Sequence, residues 1–229
     1  EMKKSGKFNT NVSKSTLYRY ISRGFFLHLR MKHLPYFKKK KHYRKTTIQR
    51  APRGISIEKR PICILERKIF GHWEMDCVVG SSLTTLLVLS ERKTRKEIIL
   101  RIPNKTTKSV VHALNILEER YGENFKKIFK TITVDNGVEF SDCSGMEKSV
   151  FGGTRTLFYY CHPYTSCERG TNERINRDIR KIFPKGTDFS KVSDKQVQRC
   201  EDWVNHYPRE IFDFGNSAER FEAELAKIA

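Results

Sequence analysis

Three acidic residues with different neighbours organise this chain: Glu173, Asp76 and Asp135. Glu173 falls in the stretch from Cys161 to Phe189, which opens on a turn-rich His162-Pro163-Tyr164-Thr165-Ser166 and then takes a helical period. Ile175, Ile179, Ile182 and Phe183 make one apolar stripe, and Pro184 with Gly186 ends the helix. The other face carries Glu173, Asn176, Arg177 and Arg180. One carboxylate among arginines suits a site that holds a cation and a polyanion together. The plainer reading is a solvated face on which Arg177 and Arg180 pair with Glu173 or Asp178. Asp76 lies in the apolar, strand-like run from Trp73 to Val79, and Asp135 follows another, Lys130 to Val134. Two strands and a helix, each giving one acid, form a layout that holds divalent metal for phosphoryl transfer. Glu74, on the same strand face as Asp76, and Glu139 are rival ligands.

The elements that must position these acids are legible in order. Residues 11–24 read as a short helix, capped by Ser13 or Ser15, ended by Gly24, with Leu17, Tyr20 and Ile21 as its stripe. Lys14, Arg19 and Arg23 project elsewhere, as in the last helix of a helix-turn-helix. Residues 28–60 read as an extended basic linker containing Lys38, Lys39, Lys40, Lys41, Arg44 and Lys45. Strands follow at 73–79, 83–90 and 97–102, joined by short hairpin-like connections. A helix spans 106–121, then come strands at 130–134 and 156–160, each reached through a longer connection. Ser141 to Thr154 reads as a surface stretch. After the Glu173 helix, Ser193 and Gln196 form a capping box for a helix with Val197, Cys200, Val204 and Tyr207 inward. A last helix carries Phe221, Leu225 and Ile228, and Trp73 and Trp203 are both read as core. By pattern alone this is a mixed α/β domain of 61–229, behind a partial helix-turn-helix at 1–27 and a linker at 28–60.

Charge points to a polyanion. The net charge is +19 over 229 residues. Residues 1–60 hold 18 Lys/Arg against 2 Asp/Glu, a balance of +16, and residues 61–229 hold 27 against 24, a balance of +3. A basic arm on a near-neutral body fits phosphate binding. No apolar run reaches the roughly 18 residues of a membrane span, and the N-terminal stretch has no signal-peptide core, so no membrane partner is expected and the location is read as cytoplasmic, on the nucleoid. The chain opens on Glu1 rather than Met, and sequence upstream of it is expected to be absent. Six cysteines include no C-x-x-C pair, and Cys161, His162 and Cys167 match no zinc spacing, which excludes a zinc ribbon or dithiol redox motif.

The stretches GHWEMDCVVG, TVDNGVEF and ERGTNERINRDIRKIFPKGTDF, in that order, resemble the DDE transposases of the insertion-sequence-thirty family. The resemblance runs from about Ser13 to the C-terminus. It implies a ribonuclease-H-like fold with a five-stranded mixed sheet flanked by helices. It also implies metal-dependent cleavage and strand transfer at element ends. Asp76 would bridge two ions, with Asp135 on one and Glu173 on the other. The cofactor would be Mg²⁺, with Mn²⁺ able to substitute. Double-stranded DNA, as element inverted repeats and target, would be the partner of a homo-oligomer. Asn172, Asn176, Arg177, Arg180 and Lys185 become candidates for DNA contact beside the metals. Two departures stand out: 37 residues separate Asp135 from Glu173, slightly more than in most relatives, and Cys167 takes the place of the family's tryptophan before ERG. The alternatives are a catalytically inactive DNA-binding derivative, argued against by the three acids, and a ribonuclease-H-like nuclease without strand transfer, argued against by the basic arm.

Overall fold

The computed structural model describes residues 12–34, 54–162 and 170–228, the side chains of 170–173 apart. The chain forms two compact units, Glu1–Gln49 and Arg50–Ala229. In the first, helix α1 (Lys14–Arg23) starts where the Ser13 hydroxyl accepts the Thr16 N–H at 3.1 Å. It stops at Gly24, whose φ of 78° is open to glycine at little cost. Phe25 then folds back edge-on against Tyr20, their ring centres 5.4 Å apart. Ile21 is buried, Leu17 is exposed, and Lys14, Arg19 and Arg23 all face solvent. The basic residues 38–45 lie outside the described residues.

The second unit is built on one six-stranded sheet. Its strands are β1 (Ile55–Ser56), β2 (His72–Val79), β3 (Thr85–Glu91), β4 (Glu97–Ile102), β5 (Thr131–Val134) and β6 (Leu157–Tyr160). Their spatial order is β1-β6-β5-β2-β3-β4. β2, β3 and β4 pair antiparallel; β5 lies parallel to β2, β6 to β5, and β1 to β6. This is a ribonuclease-H-like α/β core. Five strands fall where the sequence pattern puts them. The two-residue β1 is additional, because its pairing with Tyr159 and Tyr160 lies about a hundred residues away. The stretch read as linker therefore joins the fold by residue 54, and Arg60 Nη1 donates to Thr133 Oγ1 at 3.0 Å.

Helices cover both faces. They are α2 (Thr107–Tyr121), α3 (Phe125–Ile128), α4 (Cys143–Glu147), α5 (Gly170–Ile182), α6 (Asp194–His206) and α7 (Ser217–Leu225). Strand alternation sends Trp73, Met75, Leu87, Leu89 and Ile98 into one core with Val110, Leu114 and Leu117 of α2 and Phe221 of α7. The Trp73 ring stacks on Phe129 at 4.6 Å, and its N–H donates to Ile128 O at 2.8 Å. Val78, Leu86, Val88 and Ile99 form the second core with Ile175, Ile179 and Phe183 of α5 and Val197, Cys200 and Val204 of α6. Each such fully buried side chain contributes about 1.5–3 kcal/mol. The Ser193–Gln196 capping box is present, with Ser193 N donating to Gln196 Oε1 at 2.9 Å.

Two expectations change. Trp203 is not core: it is 38% exposed, its ring 5.2 Å from Tyr207, which is also exposed. Trp203 is off the Val197, Cys200 and Val204 stripe that carries α6 into the second core, and Tyr207 is the residue after the helix. The stretch 141–154 is not purely surface either. Met146 enters the first core. Arg155, just past the stretch, ties it to α2: its guanidinium pairs with Glu118 at 3.3 Å and donates to Met146 O at 2.7 Å, while Ser149 Oγ donates to Glu118.

The α5/α6 face of the sheet also buries a polar row, Glu74, Ser90 and Glu97, on three adjacent strands. Arg92 pairs with Glu74 there. Both side chains are almost completely buried, 3% and 0% exposed. Arg92→Met should therefore strand a buried carboxylate and cost about 3–5 kcal/mol. Urea denaturation of the two proteins measures it; a loss under about 1 kcal/mol would mean that Glu74 does not depend on this pair.

Candidate active site at the carboxyl ends of the central strands

The parallel pairing of β2 with β5 sets the site. His72 lies opposite Thr131, Trp73 opposite Ile132 and Glu74 opposite Thr133. The same offset (131 − 72 = 59) carries Asp135, the residue after β5, to the level of Asp76. Neighbouring strands run about 4.8 Å apart, and in-register residues share a face. The two acids thus come level just beyond the last β2–β5 pair, Asp135 directly after β5 and Asp76 inside β2, whose last three residues pair with β3 alone. This is the side of the sheet where the parallel strands end and open α/β sheets place their ligands.

Each carboxylate is held. Asp76 is half-buried; its Oδ1 accepts the Cys77 N–H at 2.9 Å, and its Oδ2 accepts Asn176 Nδ2 at 2.9 Å. Asp135 Oδ1 accepts the Gly137 N–H at 2.8 Å. Asn136 Nδ2 donates to Cys161 O at 2.6 Å, fastening this turn to the chain just past β6. Gly137 leaves room for the Glu139 carboxylate: a Cβ there would lie 2.5 Å from Glu139 Oε2 and would force that side chain to shift.

The rival acids have other occupations. Glu74 is committed to Arg92 in the interior. Glu139 is buried beside Gly137 and pairs with Lys105 Nζ at 3.0 Å. Burial pushes the Cys77 thiol far up, and Glu139, Asp76 and Asp135 push it the same way, so all three carboxylates bear on this strand end. Burial lowers the Lys105 ammonium, but its hydrogen bond to Glu139 and the charges of Glu139 and Asp135 outweigh that and raise it. Lys105 is a site neighbour that sequence reading missed. It sits in a polar connection between β4 and α2, with no periodicity to mark it.

Helix α5 supplies the third side. Asn176 reaches Asp76, so the face that carries Asn176 is turned to the acids. Glu173 lies in α5 one turn earlier, at the spacing that shares a helix face. The side chains of Glu173 and Asn172 lie outside the described residues, as do Cys167 and Glu168. Arg177 and Lys185 are exposed. Arg180 Nη2 donates to Val79 O at 2.7 Å, pinning α5 to the end of β2, and Asp178 pairs with Lys181 at 2.7 Å.

The donor set fits a hard cation. Asp76 and Asp135 offer carboxylate oxygens, and among the described residues the buried Asn176 Oδ1 has no hydrogen-bond partner. Oxygen ligands of this kind suit Mg²⁺ or Mn²⁺. Among the described residues no cluster of three His, Cys, Asp or Glu side chains is placed to hold a metal.

Relatives of known type share this chain's sequence. No family model matches it. It is 31% identical over 225 residues to the transposase for insertion sequence element IS4351 of Bacteroides fragilis, covering 92% of this chain and 64% of that protein. It is 30% identical over 224 residues to the transposase of insertion sequence element IS30C of Escherichia coli K12, covering 94% of this chain and 57% of the relative. Similarity of about 30% over most of the chain supports a member of the DDE transposase and integrase superfamily. The transposase of insertion sequence element IS1086 of Cupriavidus metallidurans is 30% identical over 176 residues, covering 76% of this chain and 50% of its own length. The chain thus spans less than two thirds of each of these superfamily relatives. Among the described residues no helix is long and apolar enough to cross a membrane.

Proposed function

We propose that this chain is the catalytic portion, with part of the DNA-binding region, of an insertion-sequence-thirty family transposase that cuts DNA at the ends of its element and joins them to target DNA. The observation that carries this reading is the meeting of Asp76 and Asp135 at one level of adjacent strands, with Asn176 of α5 on Asp76. Asp76, Asp135 and Glu173 would hold Mg²⁺ or Mn²⁺, which when bound supplies an acidified water and neutralises charge on the leaving oxygen. In the first step water attacks the scissile phosphorus and a 3′-OH leaves. In the second, that 3′-OH attacks a phosphodiester of the target strand, and the target's own 3′ oxygen leaves. One site serves both steps, since only the attacking oxygen changes.

The protein's own groups have separate tasks. Asn176 orients the Asp76 carboxylate through its amide N–H. Arg177, next to Asn176, and Lys185, past the end of α5, face solvent and would contact DNA phosphates together with Asn172, while Arg180 holds the helix. In the first unit Lys14, Arg19 and Arg23 lie on the exposed side of α1, suited to a DNA groove, and the basic stretch of 38–45 would lie along the backbone. The protein would act as a homo-oligomer on nucleoid DNA, each copy holding one element end.

The test is incubation with a duplex carrying the inverted repeats that flank the gene. Mg²⁺-dependent nicking that leaves a 3′-OH at the repeat end is expected, and nicking unaffected by chelator would overturn the reading. The same assay assigns the third acid. Glu173 is one turn from Asn176 inside α5, whose buried Ile175 and Ile179 stripe gives a ligand rigid support. Glu168 precedes α5, where a carboxylate serves the helix dipole. Glu173→Gln should abolish cutting with DNA binding retained, while Glu168→Gln loses no more than about tenfold. The reverse order would move the assignment to Glu168.

A further inference from the structure

A second charged site lies on the other side of α5. A pocket of about 310 Å³ is lined by Arg67, Arg95, Arg174 and Arg209, with Glu210 the one carboxylate on its wall among the described residues and Ile175 and Ile211 as apolar contacts. Four guanidinium groups converge from four separate parts of the chain: the segment before β2, the β3–β4 turn, α5, and the loop after α6. Arg209 is a buried wall, donating to Ser217 Oγ at 2.9 Å and to Val204 O at 3.2 Å. Arg95 is half-buried; burial lowers it to about 10, and Arg67 and Arg92 add repulsion that Glu74 opposes. Among the described residues no hydrogen bond or ion pair engages the guanidinium of Arg67 or Arg174. Clustered cations that repel one another, with planar donors to spare, are suited to a tetrahedral oxyanion.

We infer that this pocket binds a backbone phosphate of the DNA strand that enters the active site. The position of α5 favours a strand over a free anion: Arg174 and Ile175 line the pocket, and the next residue, Asn176, holds Asp76. The pocket and the acid pair thus flank one turn of a single helix, so a strand with one phosphate at the acids presents another to the arginines. This rests on the proposed DNA-cutting function but concerns binding, and it assigns Arg67, Arg95 and Arg174 to a clamp that sets where the strand lies.

The test compares the full chain with its Arg67→Gln/Arg174→Gln variant, and with Lys195→Gln/Arg199→Gln, which removes the same charge from exposed positions on α6. Thermal melting with inorganic pyrophosphate probes the pocket alone. Anisotropy with a labelled duplex across a salt series probes the strand. Pyrophosphate should raise the melting temperature of the wild type and of the α6 variant, not of the pocket variant. The pocket variant should bind DNA about tenfold more weakly. Its salt slope should be shallower by about 0.9 for each phosphate it no longer neutralises, and by more than in the α6 variant. A pocket variant that keeps the pyrophosphate shift overturns the proposal. Absence of the shift with DNA binding like that of the α6 variant also overturns it, because the pocket would then take free phosphate. Wild type that binds DNA through the pocket yet cuts none leaves the clamp standing and removes the catalytic reading.

Discussion

Asp76→Asn and Asp135→Asn, each made alone, lower DNA cutting by about a thousandfold or more while DNA affinity stays within a few fold. A carboxylate that neutralises a bound divalent ion is worth several kcal/mol in the transition state, and each 1.36 kcal/mol is about tenfold in rate. The amide keeps the shape, and the local bonds can be kept too. The Asp76 oxygens accept from Cys77 N and Asn176 Nδ2. In the variant, rotation of Asn176 offers its otherwise unpartnered Oδ1 to the new amide. Folding should therefore survive, and the loss should be chemical. Single-turnover cleavage in Mg²⁺ and duplex anisotropy measure the two halves. The informative comparison is Glu74→Gln, two residues earlier on the same face but bound to Arg92. It should lower the urea midpoint and leave the rate per folded molecule near that of the wild type. Robust cutting by both aspartate variants would remove the two-acid site from the mechanism.

Deleting residues 1–49 weakens DNA binding at low salt by about a hundredfold or more and flattens its salt dependence. That segment carries 14 Lys/Arg against 1 Asp/Glu, a balance of +13, and leaves +6 on the remainder. Affinity that comes from released counterions falls by roughly 0.9 in log–log slope for each phosphate neutralised, so an arm lying on several phosphates dominates the slope. The deletion must stop before Ile55, because Ile55 and Ser56 pair with β6 and Arg60 bonds Thr133. Cutting further, to residue 60, would confound affinity with unfolding. Anisotropy between about 50 and 200 mM salt reads the slope, and an unchanged slope would place the arm away from phosphate.

Much of the fold follows from local pattern. The Ser13 and Gly24 limits of α1, the Ser193–Gln196 box of α6 and the alternation of β2 and β3 depend on caps and on the periods 3.6 and 2, which a short window of residues sets by itself. The same patterns put Asp76 on a strand, Asp135 just after one and Glu173 inside a helix. Pattern could not rank Glu74 against Asp76, since both are acids on one face of one strand. Arg92, from the following hairpin, neutralises the first in the interior, and Asn176, a hundred residues on, holds the second at the rim. Nor could it separate Trp73 from Trp203, which have equal hydrophobicity but lie in the sheet centre and off the buried stripe of an outer helix. The level meeting of Asp76 with Asp135 comes from a parallel pairing 59 residues apart, and the arginine pocket from four segments that no window joins. Period and capping act within a few residues of backbone, whereas the partner that a buried charge finds is decided only when distant strands and helices are packed together.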